Sequence, residues 1–479
     1  MSDGSGVRAS YREPVASYAD ALSWIYTIGD IERSANLTRN RGDNLPRIRA
    51  LLELLGNPQT AYTVSHIAGT KGKGSTSALL ASIVRAAGIR TGLYTSPDLH
   101  TFRERIQVNG ELISEAEVLR LLPRVREGVA DLDPALGYVI TYDVATVLAL
   151  LYFKEVGAEH VILEVGLGGR LDATNVVQPP SLLATGISSI SYDHMEVLGH
   201  TLAEIAGEKA GIIKPGVPIA TGAQEGEAVA VIERIAAERG APFARVAPAG
   251  TPGAAYTYAP GAATTEGQTF SVGTPSGEYR DLRLALLGEH QLENATLALA
   301  LAQQLRAAGL SISDEAIRRG LADGRWPGRL QLVAREPYVV VDGAHNADSF
   351  ARMFAALRRH FAFARLILVL GVFADKDLAG IAVEVAHAHV DLVIATTSPS
   401  YRTATPEQLA EVLHAADPWL DVRGVVNSEE AIAEALRLAS PRDLVCVCGS
   451  VYLAGLALRY LATRPEVMPG VIEIQGIDH

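Results

Sequence analysis

Short runs of β-branched and aliphatic residues alternate with amphipathic helical segments along the first half of the chain. The runs predict strands at Thr63–Ala68, Thr91–Thr95, His160–Val165, Leu182–Ile187 and Val217–Thr221. The 3.6-residue periodicity predicts helices at Ser75–Ala87, Ser114–Glu127, Tyr142–Glu155, Leu202–Ala210 and Glu225–Arg239. Alternation of this kind is typical of an α/β fold in which helices cover a mostly parallel sheet.

The second half repeats the alternation after an interruption. Residues Pro248–Glu278 are rich in Gly, Pro, Ala and Thr and predict hairpins and loops, and helices follow at Leu292–Ala308 and Asp314–Leu321. Further strands are predicted at Tyr338–Val341, Leu366–Leu370, Leu392–Thr396, Val422–Val426 and Leu444–Cys448. Because 479 residues are too many for one ordinary core, we expect two α/β domains, residues 1–330 and 331–479, with the boundary near 325–337.

The composition favours a soluble globular protein over a nucleic-acid-binding or membrane protein. The chain is 48% hydrophobic and 20% charged, as in soluble globular proteins, and its net charge of -12 argues against nucleic-acid binding. No apolar run reaches the roughly 18–20 residues that span a bilayer, and Met1–Asp20 lacks the features of a secretory signal. Cys446 and Cys448 alternate on a predicted strand, which suits two buried thiols. We therefore expect a cytoplasmic protein without membrane partners.

A glycine-rich turn lies between the first predicted strand and its helix. Its residues are Gly69, Thr70, Lys71, Gly72, Lys73, Gly74 and Ser75. Glycines let backbone amides approach phosphate oxygens, and the helix N-terminus favours an anion. Lys73 is placed to contact the β- and γ-phosphates of ATP and Ser75 to bind Mg²⁺, although a standard Walker A loop has Ser or Thr where Gly74 stands. The alternative is an ordinary strand–helix turn.

Candidate metal ligands follow other predicted strands. Ser96 follows the second strand, Glu164 closes an apolar run before a glycine-rich loop, and His194 lies in the loop after Leu182–Ile187. Oxygen ligands suit Mg²⁺, and one imidazole is tolerated. From spacing alone, however, a surface carboxylate and a solvated loop histidine are the default interpretation. Lys209 likewise reads as an ordinary lysine near a helix C-terminus.

Many short motifs together resemble one family, the folylpolyglutamate synthase/dihydrofolate synthase branch of the Mur ligases. They run in one order from about Tyr18 to Ala462. The motifs are Gly69–Ser75, Thr95–Pro97, Arg103–Gly110, Glu164–Asn175, Asp193-His194, Glu208–Ile212, Gly288–Ala295, Trp326–Arg329, Asp342–Asn346, Asp375–Asp377 and Gly449-Ser450.

The resemblance implies a P-loop ATPase domain followed by a smaller Rossmann-like domain, with ATP in the cleft between them. It places Asn294, Arg329, Asp342 and His345 on ATP, beside the glycine-rich loop. It also implies two Mg²⁺ sites, one at Ser75 and one at Ser96, Glu164 and His194. Lys209 matches a lysine that is carbamylated in this family, which explains a lysine beside a metal site. The family further suggests a monomer.

The implied activity joins L-glutamate to a folate or dihydropteroate acceptor through an acyl phosphate. The predicted catalytic residues are Lys73, His194 and Lys209. The acceptor face is predicted at Tyr142, Asp143, Leu171, Asp172 and Ala173. Asp98, the Tyr142-Asp143 pair and Gln331 depart from the family's usual residues, and the first two bear on how the acceptor is held.

Three other functions compete with this interpretation. A cell-wall amino-acid ligase would share the fold and the chemistry but take a UDP-muramoyl acceptor. A P-loop kinase or ATPase would turn over without glutamate and would leave Glu164, His194 and Lys209 without a role. A non-catalytic nucleotide-binding regulator would not need the metal ligands.

Overall fold

The computed structural model of the chain describes residues 15–28, 44–400 and 402–463. Residues 1–14 of the Met1–Asp20 stretch, for which no secretory signal is predicted, lie outside this part. Within it, no helix has both the length and the apolar character required to cross a bilayer.

The first unit is built on an 11-stranded sheet with the order β11-β10-β9-β8-β7-β6-β1-β5-β2-β3-β4. Its strands are β1 Thr63–Ala68, β2 Thr91–Tyr94, β3 Ile106–Val108, β4 Glu111–Leu112, β5 His160–Glu164, β6 Leu182–Ile187, β7 Ile219–Thr221, β8 Phe243–Pro248, β9 Tyr256–Thr264, β10 Gly267–Thr274 and β11 Gly277–Leu284. Its helices are α1 Tyr18–Thr27, α2 Leu45–Leu54, α3 Lys73–Ala86, α4 Glu115–Asp131, α5 Thr141–Glu155, α6 Met195–Leu198, α7 Leu202–Ala210, α8 Gly226–Glu238, α9 His290–Ala307 and α10 Asp314–Asp323.

The centre of this sheet is parallel and its margins are antiparallel. Strand β1 pairs in parallel with β5 on one side and β6 on the other, so the ends of these strands open on the same edge. The three strands β9 to β11 form hairpins, which confirms the hairpins predicted for residues 248–278. Buried apolar side chains fill both faces, because helices cover each face of a parallel sheet.

The second unit has a six-stranded sheet with the order β12-β13-β17-β14-β15-β16. Its strands are β12 Gln331–Arg335, β13 Tyr338–Val341, β14 Leu366–Leu370, β15 Leu392–Ala395, β16 Asp421–Gly424 and β17 Leu444–Cys448. Its helices are α11 Ala347–His360, α12 Leu378–His387, α13 Pro406–Ala416, α14 Ser428–Leu438 and α15 Val451–Thr463. All pairs except β12–β13 are parallel.

These two sheets confirm the predicted fold class. The predicted elements differ from the observed ones mainly at their ends, whereas helices α1 and α2 and strands β3, β4, β8 and β12 were not predicted. Helix α3 begins at Lys73 rather than Ser75, because Gly72 adopts a left-handed conformation and caps it. Strand β16 begins one residue before its predicted position, since its register pairs Asp421 with Leu392, and Val426 lies beyond its end. Cys446 and Cys448 are buried free thiols, as predicted.

Helices α3 and α10 pack closely enough to test the fold directly. A methyl group built on Gly320 of α10 would lie 2.4 Å from Cα and 2.6 Å from the amide nitrogen of Ile83. We predict that Gly320→Ala lowers the free energy of unfolding by about 1–3 kcal/mol, because two helix backbones would have to separate. Chemical denaturation monitored by circular dichroism measures the change.

The matched control is Gly207→Ala within α7, where a built methyl group meets nothing within 4 Å. Alanine is the better helix former, so this substitution should raise the free energy of unfolding by up to about 1 kcal/mol. Equal effects of the two substitutions would contradict the helix contact at Gly320.

Candidate active site

The glycine-rich turn joins β1 to α3 at the edge of the sheet where the parallel strands end. Its backbone passes very close to α9: Gly72 has φ +85°, and a methyl group built there would lie 2.1 Å from Asn294 Oδ1. Only glycine fits this close approach. Helix α3 therefore begins at a glycine without a side chain, and a helix N-terminus of this kind favours an anion such as phosphate.

The structure gives a physical reason for Gly74, the departure from a standard Walker A loop. A methyl group built on Gly74 would lie 2.9–3.1 Å from three atoms of the Trp326 indole. A serine or threonine would therefore collide with this ring. The next residue, Ser75, for which metal binding is predicted, is buried in the first turn of α3.

Glu164 lies at the end of β5, buried and close to cationic groups. Its side chain is 4% exposed, and its Oε2 accepts a hydrogen bond from the Ser96 amide at 3.2 Å. Burial raises the pKa of this carboxyl to about 7, although Lys73 and Arg329 act in the opposite direction. A buried carboxylate with one hydrogen bond is incompletely stabilised, which makes it a good ligand for an added cation.

His194 starts the short helix α6 beside Asp193. Although 40% of its side chain is exposed, desolvation by the surrounding protein lowers the pKa of the imidazole to about 4 against the opposing field of Asp193. The ring is therefore neutral near pH 7, and its nitrogen lone pair is available to a metal. Asp193 is stabilised as an anion: burial opposes its ionisation, but Lys71, His194 and Lys376 together lower its pKa.

Lys209 is more deeply buried than the nearby Lys214. Its side chain is 3% exposed, and its Nζ donates a hydrogen bond to the carbonyl oxygen of Gly69 at 2.9 Å. Burial, and then the positive charge of Lys73, lower the pKa of Lys209 to about 7. A large share of this amine is unprotonated near neutral pH, and the unprotonated amine is the form that reacts with carbon dioxide.

The donor set fits Mg²⁺ only in combination with phosphate. Among the residues that the structure describes, no three His, Cys, Asp or Glu side chains form a cluster able to hold a metal. Two serine hydroxyls, one buried carboxylate and one neutral imidazole are too few for a complete cage. Because Mg²⁺ commonly keeps waters and phosphate oxygens among its ligands, Ser75 suits one ion that nucleotide completes, and Ser96, Glu164 and His194 suit a second.

The second unit brings Arg329, Asp342 and His345 to the same edge. Asp342 follows β13, and its carboxylate accepts hydrogen bonds from the amides of Leu330 at 2.8 Å and Ala344 at 2.7 Å. Burial raises the pKa of Asp342, while Arg329 opposes the shift. The His345 ring lies 3.3 Å from Lys71 Nζ of the first unit. His345 and the glycine-rich turn, two predicted parts of the ATP site that come from different units, are therefore in contact.

The residues predicted to bind the acceptor divide into two groups. Tyr142 and Asp172 lie together at the loop after Glu164: the Tyr142 hydroxyl is 3.4 Å from Asp172 Oδ1, and Asp172 Oδ2 accepts two hydrogen bonds from the amides of residues 166 and 167. Leu171 is half-buried beside them, and Ala173 is buried. This group lies next to the end of β5.

Asp143 points elsewhere. It is 1% exposed, and its Oδ2 accepts a hydrogen bond from Arg47 Nη2 at 2.7 Å and one from the amide of Ile140 at 3.1 Å. Both carboxylates are thus paired inside the first unit, Asp143 with Arg47 and Asp172 with backbone amides and Thr174. Binding of the acceptor stays a prediction for each. Arg47 is 96 residues away in sequence, and no local pattern pointed to this pair.

Sequence reasoning also gave no role to Trp326, Asp193 and Lys376, which all lie at the site. Each belongs to a motif that carried the family resemblance. Neither periodicity nor spacing indicated what the side chains contact, because their partners come from distant parts of the chain.

Comparison with known proteins agrees with this geometry. Residues 138–302 match the model of the Mur ligase middle domain, and residues 328–451 match that of the Mur ligase glutamate ligase domain. A dihydrofolate synthase/folylpolyglutamate synthase of Bacillus subtilis is 40% identical over 363 residues, which cover 75% of this chain and 80% of that protein. One of Mycobacterium tuberculosis is 33% identical and covers 88% of this chain and 91% of that protein.

Solved structures agree with the sequence relatives. Folylpolyglutamate synthase of Mycobacterium tuberculosis complexed with ADP matches with a TM-score of 0.84 and 32% identity, over 94% of this chain and 99% of that chain. Escherichia coli FolC in complex with DHPP and ADP matches with a TM-score of 0.80 and 31% identity, over 94% and 99%. The chain therefore belongs to the folylpolyglutamate synthase/dihydrofolate synthase family of Mur ligases and is an ATP-dependent, ADP-forming ligase.

Proposed function

We propose that this protein joins L-glutamate to a folate-type acceptor through an acyl phosphate, with release of ADP and phosphate. The observation that carries the proposal is the convergence of Lys73, Glu164 and Lys209 at the glycine-rich turn. Lys73 acts electrostatically on both of the other groups. A phosphate cradle beside a buried carboxylate and a lysine of lowered pKa suits phosphoryl transfer to a carboxylate better than simple hydrolysis.

The reaction proceeds in two steps. The acceptor carboxylate attacks the γ-phosphorus of ATP, the bond to the β-phosphate oxygen breaks, and ADP leaves. The amine of glutamate then attacks the acyl carbon, and inorganic phosphate leaves as the amide forms. Lys73 and the amides at the start of α3 stabilise charge on the transferring phosphoryl group, which is the main catalytic requirement of this chemistry.

The remaining assignments follow the geometry of the site. Mg²⁺ bound through Ser75, Ser96, Glu164 and His194 would neutralise phosphate charge, with two sites proposed. Asn294, Arg329, Asp342 and His345 would hold ATP between residues 1–330 and 331–479, which we propose as the two domains. Tyr142, Leu171, Asp172 and Ala173 would face the acceptor. The monomeric state and cytoplasmic location stay predictions of the sequence and the resemblance.

Dihydropteroate and a reduced folate monoglutamate are the two candidate acceptors. The E. coli structure contains DHPP and ADP, and several relatives carry both synthase names. Neither the Tyr142-Asp143 pair nor the position of Asp172 distinguishes the two acceptors. The function test therefore includes both.

Purified protein supplied with Mg²⁺, ATP and labelled glutamate should release one ADP for each glutamate joined to at least one of these acceptors. Lys73→Ala should abolish ADP release, because the transferring phosphoryl group loses its principal cation, whereas Asp342→Ala should mainly raise the KM for ATP. A coupled ADP assay and separation of labelled products measure both. Full ligase turnover by Lys73→Ala would disprove the role of Lys73 as the phosphate-binding lysine, and ADP release without glutamate would favour a kinase or ATPase.

A second prediction concerns Gly74. Gly74→Ser restores a standard Walker A residue, yet it should lower kcat/KM for ATP roughly ten-fold or more, since the overpacking against Trp326 displaces the turn. Adding Trp326→Ala to Gly74→Ser should recover part of the loss. If Gly74→Ser matched the wild type in steady-state kinetics, the contact with Trp326 would not constrain the turn.

A third prediction concerns the carbamate proposed at Lys209. Lys209→Ala should lose activity, and acetate or propionate should restore part of it, because a small carboxylate can occupy the place of the carbamate. Mass spectrometry of the intact protein in bicarbonate should find the wild type, but not the variant, heavier by one carbon dioxide. An absence of both the rescue and the added mass would contradict the modification.

A further inference from the structure

Lys71 belongs to the glycine-rich turn, but its side chain contacts protein groups. Its Nζ donates a hydrogen bond to Asp193 Oδ2 at 2.7 Å, and the two side chains are only 16% and 14% exposed. Asp193 lies on the loop that follows β6 in the same unit. The ammonium group is therefore engaged by a carboxylate of its own unit.

The same ammonium group reaches the second unit. His345 Nδ1 lies 2.9 Å from the carbonyl oxygen of Gly343, and a carbonyl only accepts, so Nδ1 carries the proton. The neutral ring then has its lone pair on Nε2, which lies 3.3 Å from Lys71 Nζ and accepts from it. Lys71 thus donates to one acceptor in each of the two units.

A second lysine crosses the same boundary in the opposite direction. Lys376, in the loop before α12 of the second unit, places its Nζ 3.9 Å from Asp193 Oδ1. In the part of the chain that the structure describes, Asp193 is the only ion-pair partner of both Lys71 and Lys376. One partly buried carboxylate therefore joins a cation from the glycine-rich turn to a cation from the second unit.

The backbone around Lys71 is firmly held, so the position of its side chain and that of the turn are linked. The carbonyl oxygen of Lys71 accepts hydrogen bonds from Ser188 Oγ at 2.6 Å and Ser189 Oγ at 3.2 Å. The amide of Thr70 donates to the carbonyl oxygen of Ser189 at 2.8 Å. A contact made by the Lys71 side chain thus fixes the second unit relative to the phosphate cradle itself.

We propose that Lys71 is a positioning residue: it holds the second unit in a fixed position relative to the glycine-rich turn. Asp193 is the shared acceptor of Lys71 and Lys376. This inference rests on the proposed ligase function, in which ATP and glutamate must be held between the two units. Loss of Lys71 then impairs the closed, reactive arrangement more than it impairs the binding of nucleotide to the turn.

The test compares Lys71→Met with the wild type in steady-state kinetics and in ADP binding by calorimetry. We expect kcat to fall roughly ten-fold or more, with the Kd for ADP unchanged within about three-fold. Small-angle X-ray scattering of the ADP complex should give a larger radius of gyration for the variant. Lys71→Gln, which keeps donors for Asp193 and His345, should retain more of kcat than Lys71→Met.

A double-mutant cycle tests whether Lys71 and Lys376 act on kcat through Asp193. Asp193→Asn should reduce the further cost in kcat of Lys71→Met and of Lys376→Met, because the shared charge is gone. Lys154→Met is the matched control: this lysine is exposed on α5, and its one hydrogen bond among the described residues is to the carbonyl oxygen of Gly56, at 3.3 Å. The kinetics of this variant should equal those of the wild type.

Other results would overturn the inference. A rise of roughly ten-fold or more in the Kd for ADP, with kcat retained at saturating ATP, would make Lys71 a phosphate ligand. Additive effects of Lys71→Met and Asp193→Asn on kcat would separate the two residues. Failure of the wild type to join glutamate would instead refute the proposed function, so the two failures are distinguishable.

Discussion

The structure depends on how closely other parts of the chain approach the turn between β1 and α3. Asn294 leaves no room for a side chain at Gly72, and Trp326 leaves none at Gly74. These contacts come from a helix and a connecting segment more than 200 residues away, so the turn takes its shape only when the whole unit has folded. Because no side chains fit at these two glycines, the turn presents a concave backbone surface that a phosphate group can fill.

Burial then determines the charge of the groups around the turn. It raises the pKa of Glu164, and it lowers the pKa of His194 and of Lys209. All three groups are therefore shifted toward their neutral forms when the protein is alone. A cation next to Glu164, a metal on the imidazole of His194 and carbon dioxide on the amine of Lys209 would each relieve part of this cost. Perturbed groups that cluster in this way are typical of catalytic sites.

The site lies at the boundary between the two units, and both units contribute side chains to it. Asp193 is approached by Lys71 from the first unit and by Lys376 from the second, while His345 accepts from Lys71. The ammonium groups of Lys71 and Lys376 repel each other, so they can hold the two units together only through the ionised carboxylate of Asp193 between them. The phosphate cradle and the second unit are therefore positioned together.

The sequence alone determined the two-unit α/β architecture, most strand positions and the phosphate turn, because periodicity and glycine placement reflect local backbone preferences. Motif resemblance added the family. Only the tertiary structure distinguished Lys209 from Lys214, paired Asp143 with Arg47, and explained Gly74 by Trp326. The burial of a side chain and the identity of its contacts depend on segments that are distant in sequence and meet only in the folded chain. No local sequence pattern therefore predicts them.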